Sequence, residues 1–89
     1  MKITVVTQQN CEHCERVKAW LSDHGYGYTI IPLDDQGGTQ MRRFMKSQDL
    51  NTVPQVFVDG TNIGGATAAI WWFQYIQQQQ YEGGVFLNG

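Results

Sequence analysis

The spacing of apolar and polar residues along the chain predicts seven elements. Lys2–Thr7 has an apolar, β-branched centre in Ile3-Thr4-Val5-Val6 and reads as a buried central strand. After it, Cys14, Val17, Leu21 and His24 recur at steps of three and four with Trp20 beside them, the stripe of an amphipathic helix. Asn10 stands where its side chain can cap that helix, and Gly25 and Gly27 end it. Tyr26–Leu33 reads as a second strand, and Gly37-Gly38 breaks the chain before a helix over Thr39–Gln48. On that helix Met41, Phe44, Met45 and Gln48 share one side, with Arg42, Arg43 and Lys46 turned outward. Gln55–Val58, Asp59-Gly60 and Thr61–Ile63 form a hairpin, because Asp-Gly favours a two-residue turn. Gly64-Gly65 releases the chain into a last helix over Thr67–Gln80, with Ala69, Trp72, Phe73 and Ile76 toward the core. Trp71 and Tyr75 point outward on the same wheel. The tail, Tyr81–Gly89, is expected to fold back and cover them with Val85, Phe86 and Leu87, since exposed aromatic patches are uncommon.

The order β-α-β-α-β-β-α is an α/β arrangement without internal repeat or linker. The opening strand, helix and strand imply a right-handed parallel unit, and the late hairpin adds antiparallel strands. One four-stranded mixed sheet with three helices satisfies both. The 89 residues are expected to form one domain, 1–89, with 81–89 as its C-terminal tail. A formal net charge of −2 supplies no basic field for nucleic acid or an anionic membrane. The apolar start is too short for a secretory signal, and no stretch approaches a transmembrane helix. The expectation is a cytoplasmic, monomeric protein. In a reducing compartment a close cysteine pair is catalytic or metal-binding more often than structural.

The two cysteines of the chain stand in one motif, Cys11-Glu12-His13-Cys14, where the first strand gives way to the first helix. At that spacing two sulfurs come within bridging range. Cys14 lies on the stripe of Val17 and Leu21 and faces the core, while Cys11 sits at the helix start within reach of solvent. Free backbone N–H groups and the positive end of the helix dipole favour an anion there. The thiolate is the nucleophilic form, so Cys11 is expected to attack disulfides and Cys14 to resolve the product. Glu12 opposes the ionisation of Cys11, and a protonated His13 offsets it. A structural zinc site takes four ligands, and only His13 and His24 accompany the thiols. No metal is expected to be required. Haem attachment needs a histidine after the second cysteine, which this motif lacks.

Thr52-Val53-Pro54 places a proline at the first position of an apolar strand. Pro54 either starts an edge strand or follows a cis bond that turns the Val53 backbone outward, free to pair with an extended peptide. Together with the cysteine motif and Ile63-Gly64-Gly65 before the last helix, this order resembles the glutaredoxin family over nearly the whole chain. The resemblance implies a thioredoxin-like fold, a cis Pro54 beside the dithiol, and glutathione as the reducing co-substrate. It implies catalytic roles for Cys11 and Cys14, and a glutathione site built from His13, Thr52, Val53, Pro54, Gly65, Ala66 and Thr67. Val53 would pair with the cysteinyl backbone, and the Gly65-Ala66-Thr67 turn would hold the γ-glutamyl end. The implied client is a disulfide-containing protein such as ribonucleotide reductase. The chain departs from the family in carrying Glu12-His13 for Pro-Tyr, Gln8 for a cation, and Ala68 for a carboxylate. Arg42 or Arg43 stands within the sequence reach of a glycyl carboxylate. Two other readings remain: a redoxin reduced by thioredoxin reductase, and an iron–sulfur carrier that uses Cys11 and glutathione as ligands.

Overall fold

A computed structural model describes residues 1–34 and 38–88, with side chains described as far as residue 79. The elements follow the expected order: β1 (Ile3–Thr7), α1 (Glu12–Asp23), β2 (Thr29–Pro32), α2 (Thr39–Ser47), β3 (Gln55–Val58), β4 (Thr61–Gly64) and α3 (Ala66–Asn88). The strands form one sheet in the order β2-β1-β3-β4. β1 runs parallel to β2 and antiparallel to β3, and β3 pairs antiparallel with β4. This is the mixed four-stranded sheet with three helices that the pattern predicts. No described helix is long and apolar enough to cross a membrane.

The apolar spacing explains which faces are covered. Val5, Val56 and Val58 from the sheet pack with Val17 and Leu21 of α1 and with Ala66, Ala69 and Phe73 of α3. Trp20, Tyr26, Ile70, Trp72 and Ile76 close the edges of that layer. On the other face Val6 and Phe57 meet Met45 of α2, with Leu33, Met41, Leu50 and Val53 around them. β1 therefore has helices on both sides, and its Val5 and Val6 are fully buried. Alternating residues of one strand feed the two layers, as the two-residue repeat of a strand requires. Asp59 and Gly60, at φ of 50° and 85°, turn the expected hairpin.

Several boundaries differ from the periodicity, each for a local reason. β2 begins at Thr29 rather than Tyr26, because Tyr26 and Tyr28 pack their rings against the core cluster. His24 does not extend the buried stripe. It is exposed at the C-cap of α1, with its ring stacked on Trp20 at 3.8 Å. Phe44 leans over Phe57 at 5.9 Å between ring centroids yet stays 43% exposed. Gln48 caps α2 and is exposed. Gly38 enters α2 where an added Cβ would come within 2.6 Å of the Pro32 carbonyl oxygen, so that close approach admits only glycine. Its neighbour Gly37 lies outside the described residues.

α3 continues as helix past Gln80 to Asn88, so the chain does not turn back at Tyr81 as expected. Trp71 and Tyr75 remain 69% and 59% exposed. The side chains of Val85, Phe86 and Leu87, expected to cover them, lie outside the described residues. Phe73, in contrast, is fully buried among Trp20, Tyr26 and Trp72. Phe73→Ala is expected to cost about 3–5 kcal/mol by cavity formation, and Trp71→Ala no more than about 0.5 kcal/mol. Urea denaturation of the two variants checks this, and equal losses would contradict the assigned burial.

Candidate functional site

Cys11 is the N-cap of α1, with φ −114° and ψ 102°, and its Sγ accepts a hydrogen bond from the Cys14 amide at 3.1 Å. The Cys11 carbonyl accepts from the Glu15 amide at 3.2 Å, which closes the first helical turn. The expected cap, Asn10, takes no such role: at φ 57° it is in the left-handed region, which asparagine tolerates, and it turns the chain out of β1. Sulfur thus occupies the place where a cap oxygen normally satisfies a free helix N–H. Cys11 and Cys14 form a disulfide, with Cα atoms 5.2 Å apart. Cys14 is fully buried beside Val17 and Leu21, while Cys11 is partly exposed and Glu12 and His13 are exposed. The outer sulfur is reachable and the inner one is not, which is the asymmetry that sequential attack and resolution require.

The Val53–Pro54 peptide bond is cis. Among the described residues, no hydrogen bond engages the amide or carbonyl of Val53. The loop before Pro54 is held from below by Gln55, a buried polar residue of β3 that sequence reasoning passed over. Its Nε2 donates to the Thr52 carbonyl at 3.1 Å and lies 3.2 Å from Thr52 Oγ1. Asn62 Nδ2 on β4 donates to Gln55 Oε1 at 3.0 Å and fixes which way the amide faces. A glutamine one place after Pro54, at the start of an otherwise apolar strand, was the available signal.

His13, Thr52, Val53, Pro54, Gly65, Ala66 and Thr67 together line a cavity of about 380 Å³. All seven residues drawn from the resemblance converge there. Arg16 and Ala68, absent from the expectation, complete the wall. Gly64, at φ 106°, makes the turn from β4 into α3 that a side chain would strain. The first amides of α3, at Ala66, Thr67 and Ala68, lack intrahelical partners and belong to residues of this wall. A second cavity of about 550 Å³ adjoins on the α2 side, lined by Gln8, Arg42, Lys46 and Leu50 among others. Arg42 is part of this wall and Arg43 is not. The two lobes share Thr52 and Val53. Among the described residues, no three His, Cys, Asp or Glu side chains gather where they could hold a metal ion.

A family model described as Glutaredoxin matches residues 3–63. Glutaredoxin 3 of Escherichia coli (strain K12) is 33% identical over 63 residues, which span 71% of this chain and 75% of that relative. The reduced Escherichia coli glutaredoxin structure superposes with a TM-score of 0.68 at 27% identity, covering 84% of this chain and 95% of that one. A buckwheat glutaredoxin–glutathione complex does so with a TM-score of 0.65 at 25% identity, covering 91% and 69%.

Gln55→Leu keeps the side chain's bulk but leaves the Thr52 carbonyl and the Asn62 amide without this partner. Its expected cost is about 1–3 kcal/mol, read by urea denaturation. A variant as stable as the parent would remove Gln55 as the clamp of this loop.

Proposed function

The chain belongs to the glutaredoxin family and is a thiol–disulfide oxidoreductase, and from that premise we propose that glutathione is its reductant. The observation that carries this reading is the two-lobed groove around Val53. It offers free helix amides in one lobe and Arg42 and Lys46 in the other, for a ligand with a carboxylate at each end. In this reading the cysteinyl backbone pairs with the unengaged Val53 amide and carbonyl, as a strand edge pairs with a peptide. The γ-glutamyl carboxylate lies at the N-terminus of α3, where free amides favour an anion. The glycyl carboxylate extends into the lobe of Arg42 and Lys46. Those two cations stand in the same lobe as Gln8 and make up for the cation absent at that position, which favours glutathione over a dedicated reductase as electron donor.

Chemistry begins on the reduced dithiol. Cys11 Sγ, as thiolate, attacks one sulfur of the client disulfide; that bond breaks, a mixed disulfide forms, and the leaving thiolate takes a proton from solvent. Cys14, deprotonated, then attacks Cys11 Sγ, closing the internal disulfide and releasing the second client thiol. One glutathione thiolate reopens the bond and leaves Cys11 glutathionylated, and a second attacks the glutathione sulfur to give glutathione disulfide. Two electrons pass from two glutathione molecules to one client disulfide. The Cys14 amide and the helix dipole stabilise Cys11 as thiolate, both when it attacks in the first step and when it leaves in the last. We assign the protein to the cytoplasm, whose reducing poise drives this direction, as a monomer acting on protein disulfides of the kind found in ribonucleotide reductase.

Glutathione-coupled reduction of a small glutathione mixed disulfide tests the roles. Cys11→Ser is expected to be inactive, and Cys14→Ser to retain glutathionyl transfer because glutathione itself resolves the Cys11 adduct. Equal loss in both variants would contradict the division between the two thiols.

A further inference from the structure

The lobe at Pro54 holds a cation that the reading above leaves unused. Arg16 reaches across from α1, and its Nη2 donates to Thr67 Oγ1 at 2.8 Å, joining residues 51 apart in sequence. A guanidinium carries five N–H donors in a planar fork, so most of them remain after Thr67 takes one. Among the described residues Arg16 enters no ion pair. Among the described residues, none lining this lobe is Asp or Glu, and the same is true of the lobe on the α2 side.

We infer that Arg16 is a specificity-determining residue: it reads a carboxylate at the α3 end of the bound thiol, while the lobe reads no ammonium beside it. Thr67 anchors one arm of the guanidinium at this wall, and the rest of the exposed fork is free to meet a ligand there. A carboxylate there meets Arg16 and the first amides of α3 together, and charge-assisted hydrogen bonds of this kind exceed neutral ones in strength. An ammonium on the same carbon, as in a γ-glutamyl end, finds a positive wall and no acidic partner, so it stays hydrated. The ligand class is therefore a low-molecular-weight thiol with an anionic end, its amine dispensable. This deepens the glutathione reading and depends on it.

Single-turnover oxidation of the reduced protein by three disulfides separates the two. The disulfides are oxidised glutathione, the disulfide of glutaryl-cysteinylglycine (glutathione without its amine) and bis(2-hydroxyethyl) disulfide. The parent is expected to react with the first two at rates within about twofold of each other, both faster than with the third. Arg16→Gln is expected to lower the rate ratio of each carboxylate-bearing disulfide to the hydroxyethyl one by about tenfold, and Arg16→Lys to recover part of it. A parent that disfavours the amine-free disulfide by tenfold or more, or unchanged ratios in Arg16→Gln, would overturn the inference. A parent that prefers neither carboxylate-bearing disulfide over the hydroxyethyl one would instead sink the glutathione reading itself.

Discussion

The hydrogen bond from the Cys14 amide to Cys11 Sγ ties the helix to the chemistry. A helix start needs an acceptor for its free N–H groups, and here that acceptor is the sulfur that reacts. A thiolate is a stronger acceptor than a thiol, so this bond favours the charged, nucleophilic form. The bond depends on Cys14 being fixed, and Cys14 is fixed because Val17 and Leu21 continue its face into the core. It also depends on how Asn10 turns the chain, since Asn10 brings the end of buried β1 into the first turn of α1. One packing layer thus sets both the burial of one thiol and the exposure of the other.

The groove is a second consequence of the sheet. β3 lies next to central β1, so the loop that precedes it, Thr52-Val53-Pro54, comes up beside the start of α1. Gln55 and Asn62 hold Thr52 from below, which leaves Val53 between two lobes with its backbone groups unengaged. Gly64 turns β4 directly into α3, so the free amides of that helix close one lobe. Arg42 and Lys46 of α2 supply charge to the other. Three helices and one loop from separate parts of the chain therefore converge on the space around Val53.

Much of this was legible in the residues. The order of elements, the Asp59-Gly60 turn, the inward face of Cys14 and the convergence of His13, Val53 and Thr67 follow from spacing, turn chemistry and a family likeness. What periodicity could not show depends on side chains choosing between local roles. Asn10 had the right chemistry for a cap, yet the tight exit from β1 required its left-handed conformation, and Cys11 capped instead. Tyr26 and Tyr28 alternate like strand residues but serve the core from outside the strand. His24 fits the helical stripe, but it falls where α1 ends and stacks on Trp20 from solvent. The Arg16–Thr67 bond links residues whose proximity only the tertiary fold creates.

The direct test is the pH dependence of alkylation at Cys11 in the reduced Cys14→Ser variant, followed with iodoacetamide. An ordinary thiol ionises at about 8.5, and one held at a helix N-terminus at about 7.5 or lower. The account predicts a midpoint in that lower range, because the residue-14 amide and the dipole of α1 remain in place after the substitution. A midpoint at or above that of free cysteine would contradict it.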